Sequence, residues 1–520
     1  VDDLDIAVEA DSPEYRSRAR ISERRASSSN PRVRSIAPHG TRPAPEATDE
    51  LAFRAGRGDD GRLRAMTAPP TRTSGLGDGD ASTAGHGPYR SAVAIAALTV
   101  AVGVAAGLGG MSELLLLHWV QHVAYGYGLD SSLPTPSFLE AVTAAPPWRR
   151  VVAMTLCGLI AGVGWWALRS RGRPIVGIGQ SVRPGGPELP AVETLIDASL
   201  QAVTVALGSP LGREVAPRQV AAVLAGWLAR AAGLSREDRR LWVACGAGAG
   251  LAAAYNVPLG GGLFTLEVLL GTFSPQAIAA AMATSAIAAR VAWIGLGNEQ
   301  AYVVPTLHVG ASLTVFALGA GPLFGILAHA FARRVATAKA RAPQGVGLVP
   351  WCLIAFVAIG LVAVRFPQIL GNGRGPAQLG FGNQLTPALA TALFVLKLLA
   401  VMAALRAGAA GGVLTPSLAL GALLATVFCA LWSQLWPDAS PSAFAIVGAV
   451  AFLASSQKMP LTAVALVFEF TRVNHDFFFP VLIAASGSAA ARLACVRWEK
   501  RRRDGTAARE TNPADGAPEG

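Results

Sequence analysis

Apolar residues gather in long runs from about Ser91 to Arg497, separated by short polar breaks, while residues 1–88 carry no apolar period. The first run, SAVAIAALTVAVGVAAGLGGMSELLLLHWV, exceeds the roughly 20 residues that cross a bilayer upright, which predicts a long, tilted helix. VVAMTLCGLIAGVGWWAL at 151–168 predicts a second. The later runs are irregular: 192–207, 215–232, 241–254 and 257–270, then 309–332, 347–364, 387–405, 412–434, 442–454, 460–470 and 477–496. Several are too short to span, and glycine and proline interrupt many. This predicts discontinuous helices that end inside the membrane, where broken backbone is tolerated only if it is buried or lines a polar cavity. The expected fold class is an all-α polytopic membrane protein.

The two halves of the apolar region, about 90–300 and 301–498, correspond weakly. Each opens on a long run and contains a glycine-rich break before a helix start, GSPLGREVAP at 208–217 and GAAGGVLTPSL at 408–418. Each also holds a proline-led segment closing on phenylalanine and glutamate, NVPLGGGLFTLEV and KMPLTAVALVFEF. Paired broken helices in an internal repeat point to a binding site near the membrane midplane.

The composition agrees: of 520 residues, 52% are hydrophobic and 15% charged, with mean hydropathy +0.42. A net charge of +11 invites a nucleic-acid reading. The basic residues, however, form short clusters beside apolar runs, at Arg169, Arg171 and Arg173, at Arg333, Arg334, Lys339 and Arg341, and at Arg497 and 500–503. Such clusters mark the cytoplasmic side of a membrane protein rather than a nucleic-acid partner. The expected location is the cell membrane, multi-pass, with both termini cytoplasmic. The five cysteines lie singly, with no metal-ligand spacing and no disulfide framework. Residues 1–88 are rich in Arg, Asp, Glu, Ser, Pro and Gly and are expected to be disordered. The chain opens on Val, and Met66 precedes an ordinary polar start, so part of this extension is expected to be an over-extended gene reading. Residues 499–520 are expected to form a short disordered cytoplasmic tail, too short for a regulatory nucleotide-binding module.

Three breaks carry the chemistry. At 208–217 an arginine and a glutamate, Arg213 and Glu214, precede a helix-forming run. A helix N-terminus inside a membrane presents unpaired N–H groups and partial positive charge, which attract an anion. A glutamate at that mouth occupies the anion's place when ionised and withdraws when protonated. GGVLTP at 411–416 offers a second cluster of amides ahead of a helix begun by Pro416, and PIVGIGQSV at 174–182 a third. For any one break alone, a packing or turn motif explains the glycines as well. For Arg213 and Glu214 the competing reading is a buried structural ion pair.

GREVAP, GGVLTPSLALGALL and MPLTAVALVFEF together resemble the hallmark segments of the CLC chloride channels and chloride/proton antiporters, in order, over about 90–498. The resemblance implies a homodimer with one anion pathway per subunit and inverted halves of tilted, broken helices. It implies that Glu214 is the gating and proton-accepting residue and that the amides of Val413 and Leu414 bind the central anion. Gly212, Arg213, Gly411, Gly412 and Pro416 match structural members of the motifs. Chloride or a similar small anion, protons and the lipid bilayer are the implied partners; no cofactor, metal or enzymatic activity is implied.

The departures bear on mechanism. Val215 and Ala216 replace the Gly-Pro that usually closes the first motif, and Leu414 replaces a phenylalanine. The family's anion-coordinating serine has no match; Gly177, with Ile178 beside it, aligns there. The central tyrosine aligns near NHDFFFP, where His475 takes its place as an anion-binding candidate. The internal proton glutamate aligns with Val268, after Glu267, which tilts the reading toward channel-like or weakly coupled conduction. Glu469 matches a common acidic position with no transport role. An intramembrane enzyme and a non-conducting scaffold are the competing readings. No G-x-S-x-G, H-E-x-x-H or Walker sequence supports the first, and His118 and His122 have no third ligand nearby.

Overall fold

The computed structural model describes residues 92–126, 137–307, 309–437 and 439–510. The expectation for 1–88 falls outside them, as does that for the last ten residues of the tail. Among the described residues the regular elements are helical. The first half comprises α1 (Ala92–Tyr125), α2 (Phe138–Ala144), α3 (Pro147–Arg171), α4 (Ile178–Ser181), α5 (Ala191–Ala206), α6 (Val215–Ala231), α7 (Arg236–Tyr255), α8 (Pro258–Phe264, continued by a π turn over Thr265–Leu270) and α9 (Pro275–Leu296). The second comprises α10 (Ala311–Ala340), α11 (Leu348–Arg365), α12 (Arg374–Phe381), α13 (Pro387–Arg406), α14 (Leu414–Trp432), α15 (Pro441–Ser456), α16 (Pro460–Thr471) and α17 (Phe478–Glu510). Among the described residues, eight segments are long and apolar enough to cross a membrane: those of α1, α3, α9, α10, α11, α13, α14 and α17.

Three details differ from the sequence reading. α9 is a membrane-length helix where no apolar run was singled out, because Gln, Ser, Thr and Arg dilute its alanine-rich stretch. α14 begins at Leu414, two residues before Pro416, which therefore sits in the first turn, where its missing N–H leaves no intrahelical bond unmade. α17 continues to Glu510, past the boundary placed at 498, because WEKRRRDGTAARE is a polar but competent helix former.

The repeat is visible as paired packings. α1 packs on α9 as α10 packs on α17, and α6 on α7 as α14 on α15, while α3 packs on α11 across the halves. Close approach is written into the sequence. A Cβ at Gly103 or Gly107 of α1 would lie 2.8 or 2.7 Å from Ile287 or Val291 of α9, so only glycine lets the two helices meet there. α5 and α13 both stop at a glycine with positive φ, Gly208 at 111° and Gly408 at 99°, a conformation that ends a helix cheaply only without a Cβ.

The two short proline-led helices settle the relative direction of the halves. Glu469, near the end of α16, accepts from Leu259 N (2.8 Å) and Gly260 N (2.7 Å) at the start of α8. Glu267, just past the end of α8, accepts from Leu461 N (3.0 Å) and Thr462 N (2.7 Å) at the start of α16. Each helix thus caps the other's first turn, which is possible only if they run antiparallel. The repeat is inverted.

Candidate functional site

The breaks at 208–214 and 408–413 meet. Gly212 N donates to Gly412 O (2.7 Å) and Gly412 N to Gly212 O (3.1 Å), a two-bond antiparallel bridge between the halves. It holds the N-termini of α6 and α14 at one point. Glu214 is the N-cap of α6, but its backbone is α-helical and its side chain caps nothing on its own helix. It is fully buried and reaches across to α14, where Leu414 N donates to Oε1 at 2.7 Å. The hydroxyl of Thr415 lies 3.5 Å from Oε2. A carboxylate in an apolar interior therefore faces a helix N-terminus, with the Arg218 guanidinium as a nearby positive charge. Val413 N, next in line, donates to no described group. A Cβ on either Gly212 or Gly412 would collide with the Glu214 carboxylate. The glycines of both motifs are there to let it lie between two backbones.

Arg213 and Glu214 do not form the structural ion pair considered above. The Arg213 guanidinium stacks over the Tyr255 ring at 4.9 Å from its centre, and its Nε is buried with no hydrogen-bond partner among the described residues. Tyr255 Oη and Thr415 Oγ1 share a hydrogen bond at 2.9 Å. A polar chain therefore runs from Arg213 through Tyr255 and Thr415 to Glu214. Arg218, one turn into α6, donates from Nε to Glu214 O (2.8 Å) and stacks on Phe264.

Glu214, Gly212, Arg213, Gly411, Gly412, Val413, Leu414 and Pro416 are thus brought to one place, with Leu211 packed under Gly411. The remaining candidates are not brought into contact with the Glu214 carboxylate. Gly177 is an exposed N-cap whose N–H donates to Gln180 Oε1 (3.3 Å), with Ile178 partly buried behind it. His475 is exposed at the start of the short turn before α17. Val268 is exposed on the π turn after α8.

Sequence reasoning missed the groups that hold the breaks in place. Lys397 is fully buried in α13, and its Nζ donates to Ile369 O (2.9 Å) and to Gly371 O. Gly371 N donates in turn to Gly208 O (2.9 Å), and Tyr125 Oη to Leu207 O (2.7 Å). A lone lysine amid ALATALFVLKLLAVMAALR was the available signal, since intramembrane charges need a partner.

Residues 153–492 match the sequence profile described as Voltage gated chloride channel. The ClcB-like protein of Ralstonia nicotianae is 30% identical over 414 residues, covering 75% of this chain and 91% of that protein. The voltage-gated ClC-type chloride channel ClcB of Citrobacter koseri is 28% identical over 391 residues, 71% and 89% of the two chains. Among solved structures, a slow cyanobacterial chloride/proton antiporter superposes with a TM-score of 0.67 at 20% identity, over 77% of this chain and 94% of that one. A CLC-type fluoride/proton antiporter gives 0.56, also at 20%, over 78% and 97%.

Proposed function

The chain belongs to the voltage gated chloride channel family, and from that premise we propose that it carries chloride or a similar small anion across the cell membrane along a route blocked by the Glu214 carboxylate. The observation that supports this most is the 2.7 Å bond from Leu414 N to Glu214 Oε1, made at the convergence of two helix N-termini. A permeating anion uses the same donors, so carboxylate and anion compete for one position. Protonation of Glu214 removes the charge that wins that competition and frees the amides of Val413 and Leu414. The bare amide cradle discriminates anions from cations strongly but one small anion from another weakly.

The homodimer belongs to the same proposal. α8 and α16 are too short to span, yet they present Leu259 and Leu461 outward, each about half exposed, and Phe273, Phe478 and Phe479 are exposed as well. The partly buried Glu267 and Glu469 caps lie on these short helices. Lipid tolerates neither short broken helices nor carboxylates at such a face, and a second copy seals it. The arginines at the end of α3 support a cytoplasmic position for that end, and the basic run at 500–503 supports the same for the tail of α17.

The test is chloride efflux from liposomes holding the purified full chain, with external pH recorded and Glu214→Ala run in parallel. Chloride efflux that moves protons in the wild type and not in the variant assigns exchange, with a relay that bypasses Val268. Efflux without proton movement assigns a channel. Absence of anion flux in both folded proteins overturns the proposal.

A further inference from the structure

Away from the anion route, a cavity of about 60 Å³ lies between the loop before α5, the end of α6 and the start of α7. At about 10–15 Å³ per water, it has room for several waters or one tetrahedral oxyanion. Four arginines line it, Arg230 from α6 and Arg236, Arg239 and Arg240 from α7, against a single lining carboxylate, Glu188. Glu188 bridges Arg230 (2.9 Å) and Arg239 (3.2 Å) and cannot neutralise the group. Arg239 keeps a buried Nε without a hydrogen-bond partner among the described residues, and Arg240 has a loose 3.9 Å contact with Glu237, whose side chain is 86% exposed. No ion pair or hydrogen bond holds the Arg236 side chain among the described residues. Apart from Ser181, the rest of the wall is apolar, with Leu189, Ala222, Val223, Val243 and the half-exposed Trp227.

Helix ends and a loop this rich in arginine lie at the membrane–water boundary, and a half-exposed tryptophan beside them is the side chain that prefers headgroup depth. Guanidinium forks match phosphate oxygens in pairs. An apolar wall directly beside them suits a phosphate that carries a hydrocarbon body. We propose that this cavity binds the phosphate of an anionic phospholipid, its glycerol and upper acyl chain running along Trp227 and Val223. The occupied site lies at the far end of α6 from Glu214, so a bound lipid braces the helix that carries the gate.

The test is native mass spectrometry of the full chain released from mixed phosphatidylcholine and phosphatidylglycerol nanodiscs. The wild type retains phosphatidylglycerol selectively. Arg236→Ala with Arg240→Ala lowers that retention at least tenfold, while Arg501→Ala with Arg502→Ala, an equal loss of charge elsewhere, leaves it unchanged. Glu188→Gln, which releases two arginines, raises it. Should the double variant fail to fold, Arg236→Gln alone and Glu188→Gln still move retention in opposite directions. Equal losses in the two double variants, or no selectivity in the wild type, overturn the proposal. If inorganic phosphate displaces the lipid and stays in its place, the site takes a soluble phosphate and the lipid assignment falls.

Discussion

Glu214 sits where an ionised group is expensive, and it makes one charge-assisted bond to Leu414 N with a weaker contact to Thr415. Such a bond contributes about 1.5–3 kcal/mol, against about 0.5–1.5 for a neutral acceptor, so removing the charge weakens the closed position by roughly five- to tenfold. Anion flux should therefore rise as pH falls on the side that reaches Glu214, and Glu214→Gln should abolish that pH dependence while retaining flux. Gly412→Ala is a sharper probe, because the added methyl occupies the carboxylate's own position. It should displace the gate without removing it, giving flux that is high and nearly pH-independent, at a stability cost of about 1–3 kcal/mol. A pH titration of efflux beside thermal melting in detergent checks both. At this scale much was legible: GREVAP and GGVLTP flag their own residues. Tyr255 was not, since a contact between residues 160 positions apart in the chain, as with Thr415, leaves no mark on either local sequence.

Between elements, the reciprocal caps of α8 and α16 tie the inverted halves together. Each glutamate satisfies two N–H groups that a helix start leaves unpaired. Glu469→Gln and Glu267→Gln each leave one acceptor where there were two, and each should cost about 1–2 kcal/mol, read as a fall in melting temperature with flux per folded protein retained. Helix breaks were predictable from glycine and proline because those residues act locally. α9 escaped because pattern reading seeks unbroken apolarity, whereas a helix buried against α1 and α7 tolerates Thr284 and Ser285 by burying both side chains. The direction of the repeat was likewise beyond pattern: NVPLGGGLFTLEV and KMPLTAVALVFEF look alike, and only their mutual capping shows that they oppose.

For the whole molecule, the eight spans among the described residues and several half-length helices leave Leu259, Leu461 and Phe479 exposed. Replacing Leu259 and Leu461 together with tryptophan should convert the proposed dimer to monomers in detergent, seen as a halving of mass by light scattering. Flux per chain should persist, because the Glu214 site is built wholly from one chain. The membrane class and the two-half organisation were readable from apolar runs. The site was not assembled by that reading, because each half supplies one helix N-terminus and neither supplies a cradle.

The Glu214–Leu414 bond has a consequence beyond permeation. It joins residues 200 apart in sequence, one from each half. The proposed plug is therefore also a clasp, and unblocking the route would unfasten the protein at its centre. A route held open by Glu214→Gln should melt at a lower temperature than the wild type, and chloride, by taking up the vacated amides, should restore it. Transport cargo would then act as a structural ligand, and the protein would be least stable when open and empty.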